Sequence, residues 1–177
     1  MNIRPLFGAR RATTTPATPD HCHGANTRAP DPAHAPLGAL CAATLLGRPW
    51  TIWSHVVEGC GVGRTLGFPT ANLDVGYLVL PAPGIYASYV HLHGAMYRGV
   101  MYVGTRPTFS PEQKAGCEVY IMDFSGDLYD EWLHVEPVAF IRGDQCFPNA
   151  EALRAQIAHD VAHAAALLPH PREPHAP

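Results

Sequence analysis

The segment Gly59-Cys60-Gly61-Val62-Gly63-Arg64-Thr65-Leu66-Gly67-Phe68-Pro69-Thr70-Ala71-Asn72-Leu73 places four glycines and a proline around one arginine, two threonines and one asparagine. Glycine accepts positive φ and carries no Cβ, so such a backbone can bring its N–H groups close to a ligand, and anions are the natural guests. Spacing excludes two common phosphate loops. Five residues beyond Gly59, Gly61 and Gly63 stand Arg64, Leu66 and Phe68, so there is no Gly-x-x-x-x-Gly-Lys-Ser/Thr loop, and the only lysine of the chain is Lys114. A dinucleotide fingerprint needs glycine three residues after a Gly-x-Gly pair, where this chain has Arg64 or Leu66.

Pro69 fixes its own φ and biases Phe68 toward extended geometry, so the segment is expected to leave its loop as a strand. On a strand Thr70 and Asn72 point to the same side. A hydroxyl and an amide oxygen side by side suit magnesium, which takes oxygen ligands and relies on one or two protein groups plus nucleotide phosphates. A glycine-rich hairpin whose Thr and Asn satisfy turn hydrogen bonds fits the same residues.

Outward from this segment, strands are predicted at Trp50 to Val57, Ala71 to Leu73, Gly84 to His93, Met96 to Gly104, Cys117 to Phe124 and Glu131 to Ile141, separated by turn signals such as Ser125-Gly126-Asp127. Short strands at this spacing indicate an antiparallel sandwich or barrel. One long helix is predicted over Ala150 to Leu168, with Asn149 as its N-cap and Pro169 ending it. Its stripe of Leu153, Ile157, Val161, Ala164 and Leu168 is expected to cover one barrel opening. His159 and His163 are four apart on it and lack a third metal partner, so they read as surface residues. Residues 1–36 are rich in Ala, Pro, Thr, Arg and His without apolar periodicity and are expected to be disordered, as is the tail 169–177. The domain is then 37–168.

A net charge of −3 points away from nucleic-acid and membrane surfaces, and no apolar run approaches a membrane span. Five cysteines at 22, 41, 60, 117 and 146 form no Cys-x-x-Cys pair, which suits reduced thiols in the cytoplasm; Cys60 and Cys117 read as packing residues. A single domain of 177 residues is long enough for one core. Glu118 shares a strand face with Tyr120 and Met122, so it is either a partly desolvated general base or a solvent-facing strand glutamate.

Six blocks occur in the order seen in riboflavin kinases: Leu46-Gly47-Arg48-Pro49-Trp50, Gly63 to Leu73, Pro83-Gly84-Ile85-Tyr86-Ala87, Gly104-Thr105-Arg106-Pro107-Thr108-Phe109, Glu118 to Phe124 and Asp127-Leu128-Tyr129. From about Leu45 to Leu168 the chain resembles the kinase domain of bacterial bifunctional riboflavin kinase and FMN adenylyltransferase. The resemblance implies a mainly β fold, a six-stranded antiparallel Greek-key barrel with one C-terminal α-helix. It further implies ATP-dependent phosphorylation of riboflavin to FMN at the ribityl 5′-hydroxyl, with flavin entering beneath the helix. Glu118 would be the catalytic base. Gly59, Gly63, Arg64, Gly67 and Tyr129 would bind ATP together with Thr70 and Asn72, which would also ligate Mg2+. Arg142 and Phe147 would face the flavin. The adenylyltransferase signature His-x-Gly-His is absent, so FAD synthesis is not expected. Riboflavin and ATP are the implied partners, and a monomer is the expected state. Ser54, Tyr102 and Asp130 depart from the family pattern, where glycine, asparagine and glycine are usual. Those departures leave room for a flavin- or nucleotide-binding module without catalysis, and a truncated piece of a bifunctional synthetase is a third reading.

Overall fold

The computed structural model describes residues 43–76, 78–105 and 115–171. The expected tail 1–36 and residues 172–177 of the C-terminal tail lie outside the described residues, as do 106–114. A short helical turn over 43–46 leads into β1 (Ile52–Val57). There follow α1 (Val62–Leu66), β2 (Thr70–Leu73), β3 (Gly84–Leu92), β4 (Ala95–Thr105), β5 (Ala115–Ile121), β6 (Trp132–Arg142) and α2 (Ala150–Leu167).

All six strands pair antiparallel and close into a barrel in the order β1-β2-β5-β4-β3-β6. β3, β4 and β5 form a meander and β2 returns beside β5, which is a Greek key. Among the described residues, closure leaves no strand edge to pair with another chain. Alternation along each strand sorts the side chains: Tyr86, Val90, Met101, Val103, Cys117, Val119 and Ile121 fill the interior. Their neighbours Ile85, Ala87, Val100 and Tyr102 therefore face outward, where most of a barrel would carry polar residues.

That apolar outer wall explains the position of α2. Asn149 caps the helix, its side chain accepting from the Ala152 N–H at 2.8 Å. Leu153, Ile157, Ala164 and Leu168 then pack on Ile85, Ala87 and Val100. The helix thus lies along the outside of the wall, not across a barrel opening as its stripe suggested, because β3 and β4 present a surface that has to be covered. Asp160 lies in the same stripe and is fully buried. Arg142, at the end of β6, donates from Nε to both carboxylate oxygens at 3.0 Å and from Nη2 to Oδ2 at 2.7 Å, and Gln156 Nε2 donates to Oδ1 at 2.9 Å.

The opening segment is not a simple loop. Gly61 and Gly67 both take left-handed backbone, φ 64 and 85, and between them α1 makes a single turn that ends with Phe68 N–H donating to the Gly63 carbonyl at 2.8 Å. Cys117 is buried in the barrel as expected, whereas Cys60 is exposed on this segment. His159 and His163 are exposed, and no group of three metal-binding side chains occurs among the described residues. Among those residues no helix is long and apolar enough to cross a membrane.

Removing one partner of a buried ion pair strands the other, so Asp160→Ala is expected to destabilise by about 3–5 kcal/mol, while the joint replacement Arg142→Met/Asp160→Leu recovers most of that loss. Urea unfolding of the three variants measures both numbers. Tyr86, inside the barrel with its hydroxyl donating to the Ala82 carbonyl at 2.6 Å, is pushed up by burial from 10.0 to about 12. The folded chain keeps this proton where the unfolded chain loses it, so the stabilisation is whole below about pH 10 and falls by about 2–3 kcal/mol as pH rises to about 12. Tyr86→Phe should flatten that alkaline loss in denaturant midpoints.

Candidate active site

The register of the barrel assembles the site. Asn72 in β2 lies directly opposite Glu118 in β5, and Glu118 lies directly opposite Tyr102 in β4. One row further, Thr70 lies opposite Tyr120. All five side chains project outward, because Ala71, Leu73, Val119 and Met101 between them enter the barrel core. Thr70 Oγ1 reaches Glu118 Oε2 at 3.5 Å, so hydroxyl, amide and carboxylate converge on one patch. Phe68 meets the Tyr120 ring edge-on at 5.5 Å and anchors the end of the glycine segment there. Burial, and then the charge of Asp123, pushes the Tyr120 phenol above its ordinary range.

A cavity of about 360 Å³ opens next to this patch, between the glycine segment and the connection from β5 to β6. Gly59, Gly63, Arg64, Thr70, Asn72 and Tyr129 all line it. Gly59 is required by contact: a Cβ there would run into the side-chain amide of Asn72, so only glycine lets the strand asparagine sit under the loop. Gly67 does not line the cavity; it terminates α1 and thereby sets where Phe68 and Thr70 emerge. Tyr129 is exposed at the mouth, and its N–H is held by Asp127 Oδ1 at 3.0 Å.

Glu118 is half-buried and flanks the cavity through Thr70 and Asn72 without lining it. Arg142 and Phe147 lie elsewhere, under α2. The Arg142 guanidinium sits 5.7 Å over the Phe147 ring and also donates to the Gly143 carbonyl at 3.0 Å. The structure therefore brings the glycine segment, the Thr/Asn pair and Glu118 together, and sets the Arg142 and Phe147 pair apart, braced by Asp160.

Sequence reasoning missed three contributors. Gly61 and the run Ser125-Gly126-Asp127 also line the cavity, although the latter reads as nothing more than a turn. Asp160 was detectable as an acid spaced three residues after Ile157 in an otherwise apolar stripe. Ser54, at a position usually glycine, is buried with its Oγ donating to the Asp74 carbonyl at 2.6 Å, which ties β1 to the end of β2. Asp130 takes the left-handed backbone, φ 63, that favours glycine.

The family profile described as riboflavin kinase, or flavokinase, matches residues 46–168. A bifunctional riboflavin kinase/FMN adenylyltransferase of Pseudomonas fluorescens is 42% identical over 126 residues, covering 71% of this chain and 40% of that protein. The protein of the same description from Escherichia coli K12 is 41% identical over 120 residues, covering 67% of this chain and 38% of its own length. The chain thus spans about 40% of the length of the relatives it matches. Among solved structures, one described as a macrolide-efflux protein from Streptococcus pneumoniae superimposes with a TM-score of 0.67 at 32% identity, covering 75% of this chain and 44% of that one. Because the profile extends over well more than half of the residues and the barrel accounts for the same span, the chain belongs to the riboflavin kinase family.

Proposed function

We propose that this chain phosphorylates riboflavin to FMN with ATP, at the ribityl 5′-hydroxyl. The observation that carries the reading is the meeting of Glu118 with Thr70 and Asn72 beside a cavity walled by the glycine segment. Backbone at Gly59 and Gly63 and the guanidinium of Arg64 would face the ATP phosphates, with Gly67 setting the loop and Tyr129 near the adenine at the cavity mouth. Arginine suits phosphate because its planar fork donates two parallel hydrogen bonds.

Magnesium fits the donor set on chemical grounds, since a threonine hydroxyl and an asparagine amide oxygen are neutral hard donors set against one carboxylate. When bound, it would neutralise charge on the phosphates. Thr70 and Asn72 would hold it. Glu118 accepts the proton of the acceptor hydroxyl while the oxygen forms a bond to the γ-phosphorus and the bond from that phosphorus to the β,γ-bridging oxygen breaks, releasing ADP. Phosphoryl transfer asks mainly for positioning, which is what the rigid strand register offers. Arg142 and Phe147 would serve the flavin side as a braced wall. We place the enzyme in the cytoplasm as a monomer; the adenylyltransferase activity in the relatives' names is not part of this proposal.

Chromatography of the chain incubated with riboflavin, ATP and magnesium should show FMN, with none formed after chelation. Glu118→Gln is expected to lower kcat by about 100-fold or more while riboflavin affinity changes little. Thr70→Ala and Asn72→Ala should raise the magnesium concentration needed for half-maximal rate. Riboflavin binding with no FMN formed would establish instead a binding module without catalysis, and full turnover in Glu118→Gln would remove that residue from the mechanism.

A further inference from the structure

Glu118 has two cross-strand neighbours, and only one of them belongs to the nucleotide side. Asn72 stands on the β2 side and lines the cavity, and Tyr102 stands on the β4 side and does not line it. With ATP in the cavity on the Asn72 side, the acceptor is placed on the other cross-strand side of Glu118, where Tyr102 stands, so the shape of that side bears on what approaches.

That side has an unusual floor. Two residues along from Tyr102 and Glu118, Gly104 lies directly opposite Gly116, so this row carries no side chain on either strand. The phenol fills the space above Gly104: a Cβ built there would collide with the Tyr102 hydroxyl and ring. The ring therefore lies along its own strand over Gly104, the residue opposite Gly116. It is half-buried and packed against the apolar cluster that includes Ile85 and Val100 under α2. A rigid ring in this position makes one wall of the approach to Glu118, and its direction is fixed from below by the absence of a side chain at Gly104.

We propose that Tyr102 is a specificity-determining residue for the acceptor: its ring, seated over Gly104, forms the wall along which the hydroxylated chain of the flavin reaches Glu118. The inference rests on the riboflavin kinase reading and adds to it the residue that selects the acceptor. Tyr102 acts on acceptor binding and leaves the nucleotide side alone, since Asn72 and Glu118 separate it from the cavity.

The test uses the full chain, with riboflavin binding followed by quenching of flavin fluorescence in the absence of ATP, and with steady-state kinetics run alongside. Tyr102→Ala is expected to weaken riboflavin binding and raise its KM by about tenfold, with the KM for ATP within about twofold of wild type. Gly104→Ala, which leaves Tyr102 in place and pushes its ring off the floor, should raise the riboflavin KM by about fivefold in the wild-type background and have almost no effect when Tyr102 is already alanine. Thermal unfolding identifies any variant that fails to fold, and the second substitution then carries the test. Unchanged riboflavin affinity in Tyr102→Ala, equal shifts in both KM values, or additive effects of the two substitutions would overturn the assignment while FMN formation by the wild-type chain leaves the kinase reading standing. A wild-type chain that neither binds nor phosphorylates riboflavin would overturn both.

Discussion

Pairing of β2 with β5 is the constraint on which the rest depends. β2 is only four residues long, yet it links the glycine segment to the barrel, and its register sets Asn72 against Glu118. A slip of one residue would turn Thr70 and Asn72 into the core and push Ala71 and Leu73 out to solvent. Burial of Ala71 and Leu73 against Val119 and Ile121 prevents the slip. The same apolar contacts that stabilise the barrel therefore orient the polar groups on its outside, and the site needs no separate scaffold.

The outer wall has a different logic. Most barrels leave their outward residues wet, but here Ile85, Ala87 and Val100 are dry because α2 covers them. An apolar helix face on an apolar wall is weakly specified in angle and register. The Arg142 and Asp160 pair supplies what is missing: a bidentate contact fixes direction as well as distance, and Gln156 satisfies a further carboxylate lone pair. Desolvating two charges offsets much of their attraction, so the pair is better understood as fixing where the helix sits than as a large source of stability. Phe147 lies against the same guanidinium, which joins the segment before the helix to the end of β6.

Strand identity was legible almost throughout, since β-branched and aromatic runs between glycine and proline turns leave little choice; Gly84 to His93, for example, differs from β3 by a single residue at its end. The juxtaposition of Thr70 and Asn72 followed from alternation alone. Their meeting with Glu118 did not, because register between strands 48 residues apart depends on tertiary pairing that a single sequence does not display. The helix inside Gly59 to Leu73 was hidden for a related reason: glycine-rich segments have poor helix propensity, and one turn forms only because glycines in left-handed conformation start and stop it. Placement of α2 was misjudged because its stripe says that one face is buried and is silent on the surface it is buried against.

The departures from the family pattern show how the barrel tolerates change next to its chemistry. A hydroxyl at Ser54 would be costly inside a core without a partner, and the Asp74 carbonyl provides one. Asp130 adopts a backbone that glycine holds more easily, and aspartate is among the few side chains that tolerate it, with His55 Nε2 at 3.7 Å from its carboxylate. Tyr102 is accommodated by subtraction, as the space for its ring exists because Gly104 has no side chain. Two of the three changes are thus absorbed by local hydrogen bonding or backbone preference, at a distance from Glu118. The third is absorbed by steric room directly beside it, which is why it is the one whose consequence falls on the acceptor and not on the fold.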